Sequence, residues 1–349
     1  MRNFFKNKKV FITGHTGFKG IWLVNILNFY KADVYGYSKN DKFKNNFAKL
    51  CNLNRKKSFY GNILDKNKLE KTLRKVSPNI VFHLAAQSIV KESYLKPCDT
   101  INTNVIGTMN LLEACRDVKT IKSIIIVTSD KCYENLNKKK SFSENNKLGG
   151  DDPYSASKAA AEIITNAYIK SFFNNNRIGI ASVRAGNVIG GGDWSENRII
   201  PDCARSIISK KKIYLRNPYS VRPWQHVIDV INGYLILSKK LYMAKSKKKY
   251  SGSWNFGPNE KMVINVKSLV NKFFKSIKIK KKLALNKKNL FKEKKILKLN
   301  SSKSFKKLKW KQKINSSKAI ELSANWYLNY IKNKKNIIYQ QIIDSKIFY

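Results

Sequence analysis

A doubly wound α/β fold on a parallel sheet is what this chain predicts, and three observations predict it. A glycine turn joins the first apolar segment to a helical one. Near-continuous apolar runs recur through the first half, as strands buried on both faces require. Helical patterns lie between and after those runs.

Residues 8–13 (Lys-Lys-Val-Phe-Ile-Thr) read as a short strand entering the turn Gly14-His15-Thr16-Gly17-Phe18-Lys19-Gly20. Beyond it Ile21, Leu23, Val24, Ile26 and Leu27 are spaced for the buried side of a helix. Strand, glycine turn and helix together are the context of a dinucleotide site. Gly14 allows the tight turn, Gly17 lets backbone N–H groups approach a pyrophosphate, and Gly20 lets helix and strand pack closely. The helix N-terminus adds partial positive charge for the phosphates. A second strand over 33–37 runs into Ser38-Lys39-Asn40, where such folds usually carry an acidic residue for the adenosine ribose. Ser38 can bond a ribose, and Lys39 can either face a 2′-phosphate or be one more solvated lysine, so NAD and NADP both stay open.

Further strands are expected at 80–84, 123–127 and 178–183, with helices over 104–115 and 152–168. After Gly190-Gly191-Gly192 the pattern loosens and Pro201, Pro218 and Pro223 appear. The reading is a Rossmann-type dinucleotide domain, 1–186 and 224–260, interleaved with a smaller substrate domain, 187–223 and 261–330. Residues 331–349 read as a polar C-terminal extension, frayed from Asn333.

At 349 residues and 42% hydrophobic, the chain can bury a sizeable core. It has no apolar run long enough to span a bilayer, and Met1-Arg2-Asn3-Phe4-Phe5-Lys6 has no signal-peptide pattern. The five cysteines (Cys51, Cys98, Cys115, Cys132, Cys203) are scattered without a Cys-x-x-Cys pair. They read as reduced thiols of a cytoplasmic protein with no metal site and no membrane partner. The formal charge of +48 invites a nucleic-acid reading. Its lysines, however, are spread over the whole length among asparagines and isoleucines, as compositional drift would leave them. The densest segment, 271–313, mixes lysine with Ile, Leu and Phe, which suits a folded region with a solvated lysine face. Specific nucleic-acid binding is not expected, while long-range attraction of an anionic ligand is.

Tyr-x-x-x-Lys occurs three times, at Tyr35/Lys39, Tyr154/Lys158 and Tyr330/Lys334, and chance alone supplies about three. Only the middle pair opens a small-residue helix after a proline-marked entry. It also follows Ser129 at the C-terminal end of a buried strand, the edge where ligands bind in open α/β sheets. On a helix, i and i+4 share one face, so Tyr154 and Lys158 can approach one ligand. A phenol ionises near pH ~10; Lys158 and a positively charged nicotinamide ring would favour the phenolate. Ser129 would bind the oxygen being oxidised.

Several stretches resemble the CDP-glucose 4,6-dehydratases, within the extended short-chain dehydrogenase/reductases. The first are Gly14-His15-Thr16-Gly17-Phe18-Lys19-Gly20, whose Gly-x-x-Gly-x-x-Gly spacing is that of the extended group, and His83-Leu84-Ala85-Ala86-Gln87. Thr128-Ser129-Asp130-Lys131-Cys132-Tyr133-Glu134-Asn135 and Leu148-Gly149-Gly150-Asp151-Asp152-Pro153-Tyr154-Ser155 follow. Downstream come Arg184-Ala185-Gly186-Asn187-Val188-Ile189-Gly190-Gly191-Gly192-Asp193-Trp194, Val221-Arg222-Pro223-Trp224-Gln225-His226-Val227 and Trp254-Asn255-Phe256-Gly257-Pro258. The likeness runs from about residue 8 to 330.

The resemblance implies an internal redox dehydration with NAD, feeding deoxysugar and surface-polysaccharide synthesis such as lipopolysaccharide O-antigen. Tyr154, with Ser129 and Lys158, would oxidise C4. Asp130 would be the acid for the C6 oxygen, provided burial keeps it protonated. Related dTDP-glucose dehydratases carry a glutamate base for C5 where this chain has Lys131. Lys131 is then either that base, which needs a strongly depressed pKa, or a stabiliser of the enolate. His15, Phe18, Leu84, Ala85 and Ala86 would lie along the cofactor, with Asn104 fixing the wall beside them. Asn62 and Ile63 would serve its adenosine half, although Gly61-Asn62-Ile63 stands where the family shows Gly-Asp-Ile. Gln87, Asn187 and Arg222 would meet the substrate, and Arg198 and Arg216 would do so unless they are surface salt bridges. A homodimer through the Tyr154 helix is also implied.

Alternatives are another nucleotide-sugar dehydratase (dTDP-glucose or GDP-mannose) or a UDP-sugar 4-epimerase. An epimerase needs no acid and base for C5 and C6, so Asp130-Lys131 argues against it. From other classes stand a basic nucleic-acid-associated protein and an NAD-sensing interaction protein; the intact triad speaks against the first and the substrate arginines against the second.

Overall fold

The computed structural model describes residues 1–39, 53–135, 141–173, 177–215, 217–258, 264–281, 283–285 and 297–348. Its centre is a seven-stranded sheet formed by β1 (Lys9–Thr13), β2 (Asp33–Ser38), β3 (Ser58–Tyr60), β4 (Ile80–His83), β5 (Ser123–Val127), β6 (Gly179–Arg184) and β7 (Gly252–Asn255). The strands run parallel in the order β7-β6-β5-β4-β1-β2-β3. The order reverses between β1 and β4, which opens a crevice at their C-terminal ends, the usual ligand position.

Alternation along the strands sends side chains to two cores. Phe11, Val81, Ile124 and Ile126 join the core under α2 (Lys66–Val76) and α3 (Gly107–Arg116). Val10, Ile12, Phe82 and Ile125 join the core that holds α1 (Phe18–Phe29) and α5 (Val227–Met243). Helix α4 (Pro153–Ser171) lies beside α3 and packs on β6 and β7. It begins where the sequence dictates: Pro153 takes a first-turn position without losing a hydrogen bond, and Asp152 accepts from Ser155 N at 2.9 Å.

Past β6 the chain builds a smaller layer from short pairings. Val188–Ile189 runs parallel to Gln225–His226, and Val221–Arg222 runs antiparallel to Ile264–Asn265. Helices Ile199–Ile208, Val266–Ser276 and α6 (Ser316–Ile331) pack around them. Residues 224–255 return to the sheet, α5 packing on it and β7 extending it beside β6.

Two elements depart from the sequence expectation. The helix expected over 104–115 starts earlier, at Pro97–Ile101, and widens into a π-turn at Asn102–Ile106 before α3. The frayed polar tail is instead a docked helix, α7 (Ile337–Asp344), with Ile337, Ile338 and Ile342 buried. Phe29 meets Tyr339 edge-on at 5.8 Å, and Tyr30 meets Phe348 at 5.9 Å. Helix α1 is apolar nearly all round, so its outer side needs a cover, and α7 supplies it.

Candidate active site

The crevice opens into a cavity of about 1940 Å³. A drug-sized ligand needs only about 300–1,000 Å³, so this volume accommodates two extended ligands end to end. At one end lies the glycine turn. Gly14 sits at φ +74°, and a Cβ there would come within 2.7 Å of Ala85 N; a Cβ on Gly20 would stand 2.2 Å from Gly14 O. Both positions therefore exclude any side chain. Gly17 caps α1 without a side-chain acceptor, leaving the helix's first N–H groups towards the cavity. Uncapped donors at a glycine-lined helix N-terminus fit a dinucleotide pyrophosphate.

His15 does not face this cavity. Its Nδ1 meets Ser38 Oγ at 2.9 Å and its Nε2 meets Ser58 Oγ at 2.6 Å, under Gly36. Burial drives its pKa down to about 4, so it is a neutral brace between β1, β2 and β3 rather than a cation for phosphate. Ser38 lines the cavity with its hydroxyl on that ring, and Thr16 N approaches it at 3.4 Å. Phe18, Ile63, Leu84, Ala85 and Ala86 line the same wall. Asn62 lines a separate small recess with Lys39, Tyr60 and Lys68, its Oδ1 accepting from Leu64 N at 3.2 Å.

The π-turn turns Asn104 inward, where it is buried. Its Oδ1 accepts from Gln87 N at 2.9 Å, and its Nδ2 donates to Gln87 O at 3.0 Å and Ser157 Oγ at 2.9 Å. Asn104 thus ties the loop after β4 to α4. Gln87 reaches the cavity, but its amide is engaged by Ile89 and Thr100. Below them His83 bridges Thr13 Oγ1 at 2.7 Å and Thr108 Oγ1 at 3.1 Å.

Ser129, Asp130, Lys131, Tyr154 and Lys158 converge on the middle of the cavity. The Ser129 hydroxyl donates to Asp130 Oδ1 at 3.1 Å, accepts from Lys131 N at 3.2 Å and bonds Tyr154. Burial pushes the Tyr154 phenol up to about 12, and Ser129 and Arg198 draw it down. Burial lowers Lys158 to about 8 while Glu162 supports its charge. The Lys158 ammonium donates to Val127 O at 3.4 Å. Removal from water dominates both groups. Burial also raises Asp130, against the pull of Lys131, Arg222 and Lys19.

Asn187 (φ +49°), Arg198 and Arg222 also line the cavity. Arg198 also pairs with Asp193 at 2.9 Å and reaches Ser88 O at 3.2 Å. Arg216 lies outside the described residues.

Sequence reasoning missed the layer beneath. Glu162 and Arg184 form a buried ion pair at 2.7 Å. Glu162 also accepts from Thr128 and Ser182, and Arg184 donates to Tyr133 Oη at 2.7 Å. Glu162 lies one turn beyond Lys158, and Arg184 opens a quoted stretch, so a search for charges at i+4 and at strand ends would have found both. Lys19 was also missed: it lines the cavity within electrostatic reach of Asp130, Lys158 and Arg198.

Comparison with known proteins agrees with this geometry. The sequence profile of the GDP-mannose 4,6-dehydratase family matches residues 11–322. A CDP-glucose 4,6-dehydratase of Salmonella typhimurium is 39% identical over 97% of this chain and 95% of that protein. A dTDP-glucose 4,6-dehydratase from Bacillus anthracis, solved in complex with NAD, superposes with a TM-score of 0.76 at 22% identity, covering 95% of this chain and 99% of that one. A UDP-glucose 4-epimerase from Thermotoga maritima, solved with UDP-glucose, gives 0.80 at 20% identity, covering 93% and 99%. At those identities the two structures show the shared Rossmann-type fold.

Proposed function

This chain belongs to the GDP-mannose 4,6-dehydratase family, and from that premise we propose that it is a CDP-glucose 4,6-dehydratase. It converts CDP-D-glucose to CDP-4-dehydro-6-deoxy-D-glucose and water. The observation that carries the reading is 39% identity, over 97% of this chain, to an enzyme of that name, with the triad and Asp130-Lys131 gathered in one cavity.

Ser129 holds the C4 oxygen while Tyr154 takes its proton. A nicotinamide cofactor, held along the wall formed by Gly14, Gly17, Leu84 and Ala85, would supply the hydride acceptor for C4 and the hydride donor for C6. Oxidation makes the C5 proton acidic, and Lys131 removes it, returning it to C5 as hydride reaches C6. Asp130 protonates the C6 hydroxyl as it leaves; burial favours its protonated form. Asn187 and Arg222 hold the substrate diphosphate, Arg222 through its planar fork. NAD is the cofactor of this reading. Because Lys39 and Lys68 both line the recess near Ser38, NADP is the second reading, and the ratio of the two dissociation constants decides.

The wider assignments follow the same premise. The sheet with 1–186 and 224–260 carries the cofactor, and 187–223 with 261–330 carries the nucleotide sugar. Leu95, Ile101, Ile163 and Phe172 are exposed on and around α4. They are the proposed face for a second copy, checked by light scattering of an Ile163→Lys variant. Among the described residues no helix is long and apolar enough to cross a membrane. The proposed setting is the cytoplasm, in deoxysugar synthesis for surface polysaccharide.

The test is an end-point mass-spectrometric assay with NAD and, separately, CDP-glucose, dTDP-glucose, UDP-glucose and GDP-mannose. Loss of one water from CDP-glucose alone is the expected result. Water loss from another donor instead would change the substrate and keep the mechanism, and epimerised UDP-glucose would move the chain to the epimerases.

A further inference from the structure

Glu162 and Arg184 are buried charges to which the dehydration chemistry gives no task, and neither side chain lines the cavity. Glu162 stands on α4 one turn beyond Lys158, Arg184 ends β6, and the two pair at 2.7 Å. Taking both charges out of water costs much of what the pair returns, and packed apolar side chains in its place often serve stability as well. What else the pair holds is therefore the better explanation of it.

Each partner holds one flank of the catalytic turn. On one side the Thr128 hydroxyl donates to Glu162 Oε1 and approaches Val183 O at 3.2 Å. Thr128 immediately precedes Ser129. On the other side Arg184 Nη1 donates to Tyr133 Oη at 2.7 Å, with its guanidinium 4.8 Å from the centre of the Tyr133 ring. Tyr133 follows Lys131 by two residues. The Ser182 and Ser253 hydroxyls donate to Glu162 Oε2 at 2.6 and 3.1 Å, which fixes the pair to β6 and β7. Between the flanks lies one 3₁₀ turn, Asp130–Cys132, capped by Ser129 Oγ accepting from Lys131 N at 3.2 Å. A turn this short has poor hydrogen-bond geometry of its own, so its flanks decide where it stands.

We propose that Glu162 and Arg184 are positioning residues for the catalytic turn: their ion pair fixes Thr128 and Tyr133, and so sets where Ser129, Asp130 and Lys131 stand relative to Tyr154 and Lys158. The inference rests on the dehydratase reading, in which those five groups act on one sugar ring. A displacement of about 1 Å among such groups can cost about 10²-fold in rate.

The test measures kcat and KM for water loss from CDP-glucose, the NAD dissociation constant and the melting temperature. Glu162→Leu/Arg184→Met replaces both charges together, so no charge is left unpaired. Thr128 then keeps Val183 O, Tyr133 keeps Asn255 and Ser182 keeps Ser253. In that variant kcat should fall by about tenfold or more, with KM and the NAD dissociation constant within about threefold and the melting temperature near wild type. Thr128→Val/Tyr133→Phe removes the two flanking hydroxyls and leaves the ion pair, with its charge near Lys158, in place. Its kcat should fall similarly with an unmoved pH profile, and Thr128→Ser should retain wild-type kcat. Wild-type kcat in either double variant overturns the proposal, as does a loss of kcat matched by equal losses in KM and NAD binding. If Glu162→Leu/Arg184→Met does not fold, the hydroxyl pair decides by the same criteria. A wild-type protein that removes water from no donor overturns the dehydratase reading, and this inference with it.

Discussion

At Tyr154 and Lys158 burial acts in opposite senses, holding the phenol protonated and drawing the ammonium towards neutrality. Both changes oppose charge on groups removed from water, and a positive group beside the phenol would favour its phenolate. In the dehydratase reading Tyr154→Phe removes the proton acceptor for C4, and turnover should fall by about 10²–10⁴-fold, read as the rate of nicotinamide reduction on mixing with CDP-glucose. A variant retaining wild-type reduction would exclude Tyr154 from the reaction. Lys131→Ala should leave that reduction measurable and stop water loss, so reduced cofactor accumulates. Unimpaired water loss would take Lys131 out of the C5 step. The His15 position argues a different point: placed in the glycine turn, it is spent on Ser38 and Ser58.

Helix α4 does two jobs along one face. Tyr154 and Lys158 serve the cavity, and Glu162, a turn further on, anchors the site from below through Thr128, Ser182 and Arg184. Arg184 extends that anchor to Tyr133, whose hydroxyl donates to Asn255 Oδ1 at 2.7 Å. The ends of β5, β6 and β7 are thereby joined under the Ser129–Lys131 loop. Arg184→Met leaves a buried carboxylate without its counter-charge and should cost about 3–5 kcal/mol, measured by urea denaturation. The Glu162→Gln/Arg184→Met double variant should recover much of that loss. Additive losses in the two single variants would deny the coupling.

Stability against acid should reflect the whole set of three histidines, all buried. Burial lowers His15 to about 4 and His83 and His226 to about 3. Unfolded histidine binds a proton below about 6.5. Between pH 6.5 and those folded values the unfolded chain therefore binds more protons, and stability falls as pH falls. Each histidine should cost about 2 kcal/mol at pH 5. Asp229, raised to about 6 mainly by burial, works the other way, since the folded state binds its proton first and is favoured as pH drops from 6. Asp130, also raised by burial, acts in the same sense as Asp229; three histidines outweigh two carboxyls, so the melting temperature should decline from pH 7 to pH 5. A flat or rising profile would contradict the burial of the imidazoles.

Sequence alone determined the parallel sheet, the phosphate turn and the Ser129, Tyr154 and Lys158 grouping, because each is local. Strand periodicity, glycine spacing and the i, i+4 rule act within a few residues and leave their mark in order along the chain. Tertiary structure decided what depended on distant partners. His15 reads as a ligand group until Ser58 and Gly36 close over it. The tail reads as polar until α1 presents an apolar side to Ile338 and Ile342. Asn104 needs the wide turn of its helix to reach Gln87, and Glu162 meets Arg184 only because α4 packs against β6. Lys19 was visible throughout as a residue of the turn. Its place on the cavity wall follows from the crevice between the strand ends, which no local pattern records.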